Sequence, residues 1–217
     1  MFKTRTEHDR RLASSVSDTV ASANTVQRMG VTVGSGGVLL VLVDPVTCFR
    51  AASYVQQQTF RLAHEASVVV LDWLTAGRMS RDEKWAFARY HSVNEVWQGG
   101  RRVARDAMRL EQRHDATPLP ARTLEDRLGP YGCYATALMF GPAVAGVVAK
   151  LTAAYDRISQ MQRRERPTFV WSMSLLDGGC IVRAAGLETE AVREWLRDTL
   201  REIEAIVGRD VYSRAFV

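Results

Sequence analysis

A chain of 217 residues that is 47% hydrophobic and 24% charged is long enough to bury a core and too apolar to be disordered. Its net charge of +5 rests on 29 basic residues, of which only Lys3, Lys84 and Lys150 are lysines. These are scattered and interleaved with Asp and Glu, which reads as solvated surface and argues against a nucleic-acid-binding stripe. Cys48, Cys133 and Cys180 lie far apart with no CxxC or CxxH spacing. That excludes a zinc knuckle or disulfide framework and fits free thiols in a reducing compartment.

Residues 1–24 are polar and rich in Ser and Thr and predict a poorly ordered lead-in. No apolar run of the secretory type occurs there. From Thr25 to the end, at 217, the chain reads as one β-rich domain. "TVQRMGVTV", the turn "GSGG" and "VLLVLV" come first. "SYVQQQTFRL", "AHEA" and "SVVVLDW" follow, then "KWAFARYHSVNEVW", "QGG" and "RRVARDAMRL". Short β-rich segments broken by glycine turns predict an all-β body. Residues 111–129, with Pro118 and Pro120, form a polar connection, and "YGCYATALMF" is a further strand. Pro142 suits the first turn of a helix over 143–162. Asp-Gly within "SMSLLDGGCIVRAAG" predicts a hairpin. A second helix over 189–207 carries Val192, Leu196, Ile203 and Val207 on one stripe, with Trp195 beside them and Gly208 as its cap. The most apolar run, residues 137–149, is too short to span a bilayer.

Few motifs carry chemistry. "GSGG" precedes another strand, so it reads as a hairpin turn and not as a phosphate loop. His8, His64, His91 and His114 have no partner at ligand spacing. The segment "VVVLDWLTAGRMSRDEKWAF" places Asp72 and Glu83 at the two ends of what reads as a hairpin connection between paired strands. Facing carboxylates there could hold a divalent cation weakly or split acid and base roles, as in a glycosidase. They could equally close the turn through Arg78 or Arg81. Asp44 and Cys48 in "VDPVTCF" offer a hard and a soft ligand for nickel or copper. Trp73, Trp85, Phe87 and Tyr90 would be stacking platforms in a nucleic-acid-binding β-protein, or else an inward strand face.

"DPVTCF", "SYVQQ", "LDWLTAGR" and "EKWAFARY", in this order and at this spacing, resemble the UreD (UreH) family of urease accessory proteins. "YGCYATALMFGP", "WSMSLLDGGCIVRAAG" and "YSRAF" extend the resemblance more weakly along the chain. The resemblance implies a β-helix-like body of short strands with two α-helices in the C-terminal half. It also implies a non-catalytic cytoplasmic protein that binds the urease apoprotein and, with UreF and the GTPase UreG, delivers nickel. No tightly bound cofactor is expected, only Ni2+ in transit through an internal tunnel lined in part by carboxylates. Nucleic acid and membrane are not expected partners. By position, Asp72, Arg78 and Glu83 match the signature and Asp44 matches the acidic residue of a "PDPV" pattern. The expected nickel path is Asp72, Glu83, Asp44 and Cys48, and the expected partner contacts are Arg78, Trp73 and Trp195. Val43 stands where the family often has Pro, and Asp82 where it often has Gly. "MFKTR" falls where a family "KVFK-R" pattern ends, so roughly the first third of the usual protein is unmatched. A coil lacking those strands is expected to expose unpaired edges.

Overall fold

Two runs of alternating and then continuous apolar residues, 25–42 and 53–75, wind into a coil that passes back and forth between two sheets. The computed structural model describes residues 25–112, 122–158 and 167–216, so the expected 1–24 lead-in lies outside the described residues. The strands are β1 (Thr25–Val33), β2 (Val38–Leu42), β3 (Val46–Thr47), β4 (Ser53–Leu62), β5 (Ser67–Thr75), β6 (Arg89–Gln98), β7 (Arg101–Glu111), β8 (Cys133–Phe140), β9 (Phe169–Leu176) and β10 (Gly179–Gly186). The helices are α1 (Leu124–Leu128), α2 (Ala145–Tyr155), α3 (Thr189–Thr199), α4 (Glu204–Val207) and α5 (Arg209–Arg214).

The first sheet has the order β1-β4-β6-β7 and the second β2-β5-β8-β10-β9, with β3 also pairing with β5. β1 pairs in parallel with β4 and β2 in parallel with β5, each at a step of 29 residues. From β4 to β6, also parallel, the step is 36, the excess being taken up by the 76–88 connection. Parallel strands that alternate between two faces at a near-constant step form the coil of a β-helix. β7, β8, β10 and β9 then extend both sheets antiparallel. The protein is mainly β, as expected. Among the described residues no helix is long and apolar enough to cross a membrane.

β5 shows why "SVVVLDWL" is nearly continuous in apolar residues. Val68 and Val70, with Leu138 of the neighbouring β8, face Phe60 and Val96 of the first sheet, while Val69, Leu71 and Trp73 face α2 and α3 with Val147, Val192 and Leu196. A strand covered on both faces loses the two-residue alternation. A third cluster, around Trp85, Phe87, Tyr54, Tyr90 and Leu124, closes one end of the space between the sheets.

Four expectations are corrected. "VVVLDW" and "EKWAFARY" do not pair as a hairpin, because β5 lies in the second sheet and β6 in the first. Residues 84–88 are not strand: Trp85 sits at φ +50° and donates its backbone N–H to the Ala76 carbonyl at 2.6 Å. The expected 189–207 helix breaks at Leu200, where a 3₁₀ turn over Arg201–Ile203 re-aims the chain so that Ile203 packs with Leu196 and Leu200. The 143–162 helix is α2 only, entered through a 3₁₀ turn at Pro142–Val144. Its expected last residues, 159–162, lie outside the described residues.

Phe60 is fully buried between the sheets. Replacing it with alanine should destabilise the fold by about 3–5 kcal/mol. Val26→Ala on the exposed edge strand should change stability by no more than about 0.5 kcal/mol. Urea denaturation of the two variants measures the contrast.

Candidate functional site

Side chains in phase with Phe60 on β4 and with Val96 on β6 point between the sheets, where alternation predicts apolar residues. Yet in that phase stand Gln56 and Gln58 on β4, Ser92 and Asn94 on β6 and Asp106 on β7, all buried. Opposite them the second sheet places Asp72 on β5, Thr136 on β8 and Arg183 on β10, which are register partners. A polar row therefore crosses the sandwich between two apolar clusters. It starts at Gln27, part-exposed on edge strand β1, and ends at the Arg183 side chain, 45% exposed.

Asp72, 8% exposed, is the hub. Its Oδ1 accepts from Tyr90 Oη at 3.0 Å, and its Oδ2 from Ser92 Oγ at 2.5 Å and Asn94 Nδ2 at 2.6 Å. All three donors come from the opposite sheet. Burial first, and then the Asp72 charge, raise the Tyr90 phenol well above its ordinary value, so it remains a donor. Tyr54 Oη lies 2.7 Å from Gln27 Oε1 and 3.0 Å from Gln56 Oε1, and Gln56 Nε2 donates to Ser92 Oγ at 3.2 Å. At the far end Arg183 donates to Asp106. Three buried oxygens in the row, Gln58 Oε1, Asn94 Oδ1 and Thr136 Oγ1, have no hydrogen-bond partner. Buried polar atoms are nearly always paired, so three along one row mark a place that can take up water or a passing polar species.

Glu83, 7% exposed, belongs to a separate network. Arg78 grips it with two bonds, Nε to Oε2 at 2.7 Å and Nη2 to Oε1 at 2.6 Å, and the Arg50 backbone N–H adds a third at 3.3 Å. The Arg78 guanidinium lies 3.9 Å over the Phe49 ring. The Arg78 hydrogen bond leads the causes that hold the Glu83 carboxyl below its ordinary value. Gly77, at φ +129°, lets the Glu83 carbonyl approach so closely that a Cβ there would stand 2.2 Å from it. The signature segment therefore folds as a lock between 76–88 and 48–51, which is the turn-closing reading of Glu83.

The four expected nickel-path residues do not converge. Asp72 lies in the polar row, Glu83 in the lock, and Asp44 is exposed. Cys48 is buried in the end cluster, and burial pushes its thiol up to about 12. A thiol held protonated there is a poor metal ligand. Among the described residues no three His, Cys, Asp or Glu come together to hold a metal. Asp72 and Glu83 hydrogen-bond in separate networks, Asp72 with Tyr90, Ser92 and Asn94 and Glu83 with Arg78 and the Arg50 backbone. Trp73 is a core residue under the helices, its Nε1 donating to the Val43 carbonyl at 2.6 Å, and so it is no surface contact. Trp85, Phe87 and Tyr90 are likewise buried, which removes the stacking platform. Trp195 is half-buried against Phe169 and Trp171, at 5.3 and 5.5 Å. Sequence reasoning missed Gln56, Gln58, Ser92, Asn94, Asp106, Thr136 and Arg183. For β4 and β6 the available signal was polar residues in the apolar phase.

A model of the protein family described as "UreD urease accessory protein" matches residues 13–215. The chain is 35% identical over 204 residues to urease accessory protein 4 of Cryptococcus neoformans var. grubii, covering 88% of this chain and 62% of that one. It is 37% identical over 189 residues to urease accessory protein UreD of Sorangium cellulosum, covering 87% and 57%. With urease accessory protein D of Arabidopsis thaliana it shares 30% identity over 216 residues, covering 89% and 71%. The chain thus spans between 57% and 62% of the length of the first two of these relatives.

Because the Glu83 carboxyl is held below its ordinary 4.5 in the folded state, its ion pair stabilises the fold above that value. The contribution is lost as pH falls through the folded-state pKa. Wild type should be more stable than Glu83→Gln at neutral pH, and the gap should begin to shrink only below about pH 4.5. Denaturation midpoints across an acidic pH series measure the gap.

Proposed function

The chain belongs to the UreD family of urease accessory proteins, and from that premise we propose that it is a non-catalytic scaffold assisting nickel delivery to apo-urease. UreF, UreG and the urease apoprotein are the proposed partners and the cytoplasm the proposed setting. Nickel is cargo here, held in transit. The observation that carries the reading is the polar row between the sheets, with its three unpartnered neutral oxygens.

A conduit must touch its ion weakly. The affinity order of divalent metals makes any tight nitrogen or sulfur site a trap for nickel. In this row the two carboxylates are already engaged, Asp72 by three donors and Asp106 by Arg183. Neutral amide and hydroxyl oxygens at Gln58, Asn94 and Thr136 are left to meet a hydrated ion. Such hard, uncharged donors replace water ligands one at a time without holding the metal. Glu83 supports the reading indirectly, since its lock fixes the end of the sandwich next to the row.

The test separates passage from stability. Thr136→Val and Gln58→Leu each replace a polar group whose oxygen is unpartnered, so neither should destabilise the fold by more than about 1 kcal/mol. In cells producing either variant with UreF, UreG and urease apoprotein, the nickel content of purified urease should fall several-fold. Wild-type nickel loading in both folded variants would refute the row as the route.

A further inference from the structure

The two outer faces of the sandwich are unlike. α2, α3, α4 and α5 pack on the second sheet, whereas side chains on the outer face of the first sheet point to solvent. In the outward phase of β1, β4, β6 and β7, which a bulge opposite Val96 and Trp97 shifts to Arg102, stand Arg28, Arg61, Arg89, Arg102, Arg105 and Arg109, against Glu95 and Glu111. Each glutamate is shared by two arginines. Glu95 Oε1 lies 2.8 Å from Arg102 Nη1 and 3.4 Å from Arg105 Nε. Glu111 lies 3.3 Å from Arg89 Nε and 2.6 Å from Arg109 Nη2. One carboxylate neutralises one guanidinium, so the face keeps a surplus of positive charge. His91, among these residues, has its pKa lowered by burial first and then by Arg89 and Arg109. On α3–α5 and the turn between them, by contrast, Glu190, Glu194, Asp198, Glu202, Glu204 and Asp210 offset Arg193, Arg197, Arg201, Arg209 and Arg214.

We propose that the outer face of the first sheet docks a carboxylate-rich protein surface, with Arg28, Arg61 and Arg105, the more distant of the two arginines on Glu95, receiving its acids. Four strands at about 4.8 Å spacing and about 3.3 Å per residue give a flat field roughly 15 Å by 30 Å, suited to a transient, electrostatically steered contact. A protein partner fits better than a nucleic acid. Trp97 is the aromatic residue on this face, and it is engaged: the Arg102 guanidinium lies 5.8 Å from its ring and its Nε1 donates to Glu95 at 3.2 Å. No stacking platform is left for bases. The embedded glutamates would also oppose a continuous line of phosphates, whereas separate carboxylates can be placed between them. This surface is independent of the polar row, and its test uses no urease component or metal.

The probe is a fluorescent poly-glutamate peptide binding to the full chain at about 50 mM salt, with unlabelled oligothymidylate as competitor. Wild type should bind with steep salt dependence. Arg28→Glu, Arg61→Glu and Arg105→Glu together should weaken binding about tenfold or more, and the same three changed to Gln should weaken it less. Arg197→Glu, Arg201→Glu and Arg214→Glu together, an equal charge change on the helical side, should leave it nearly unchanged. Thermal melts confirm which variants are folded. Equal loss from both Glu sets, no binding by wild type, or tighter binding of oligothymidylate than of poly-glutamate would each overturn the proposal.

Discussion

A carboxylate enclosed between two sheets must be matched by donors, because stripping water from a buried charge costs several kcal/mol. Asp72 sits on one sheet and takes its three donors from the other, so the requirement acts on the whole sandwich. A one-residue slip of β6 would turn Tyr90, Ser92 and Asn94 to solvent and leave the charge uncompensated. Register is therefore enforced most strongly where a purely apolar interior would tolerate sliding. Arg183 and Asp106 repeat the arrangement at the far edge with the polarity of the sheets reversed. Two crossings of this kind hold the sheets in one relative alignment, while the apolar clusters on either side supply most of the burial energy.

The signature segment solves a different problem. The coil step lengthens from 29 residues to 36 where the chain leaves β5 and must cross to β6. That crossing closes one end of the interior, so it has to bury its own polar groups. Trp85 and Phe87 plug the end of the core, with Trp85 donating Nε1 to the Tyr131 carbonyl at 3.1 Å. Glu83 and Arg78 neutralise each other above the plug, and Gly77 allows the close approach of backbone that lets the loop seal. Of the charges in "GRMSRDEKW", Arg78 and Glu83 are spent on each other and Lys84 pairs with Glu125, while Arg81 and Asp82 face solvent.

How much of this was legible in the sequence depends on the period each element obeys. β1, β4, β6 and β7 keep a two-residue alternation, with one face inward and one face wet, but it is their β-rich composition between glycine turns that marks them in the sequence. β5 is buried on both faces, so its pattern marks a strand without naming its neighbours, and proximity in sequence points to the wrong partner. In a coil the nearest strand belongs to the other sheet. The break at Leu200 was hidden because the apolar stripe runs on through Ile203 and Val207, and only packing against Leu196 shows the change of direction. Asp72 and Glu83 were picked out together by sequence proximity and family position. Both are buried, yet their partners lie 18–22 residues away for Asp72 and 5 for Glu83's principal partner, Arg78. A local reading saw the short-range pair and missed the long-range network. The phase of Gln56, Gln58, Ser92 and Asn94 carried that network in plain view, as polar residues where the strand period calls for apolar ones.

The same saturation that stabilises the sandwich bears on the proposed passage of a cation. An unengaged buried carboxylate would bind a divalent ion tightly and release it slowly, and it would also repel its neighbours until the ion arrived. Asp72 and Asp106 instead have their charge countered by protein donors, so an ion moving between the sheets would feel a moderated attraction at each carboxylate and meet neutral oxygens beside them. Weakening Asp72's donors would therefore act in two directions at once, loosening the fold and deepening the trap. Removing an unpartnered neutral oxygen does neither, and for that reason Thr136 and Gln58, and not the acidic residues, are where transport and stability can be told apart.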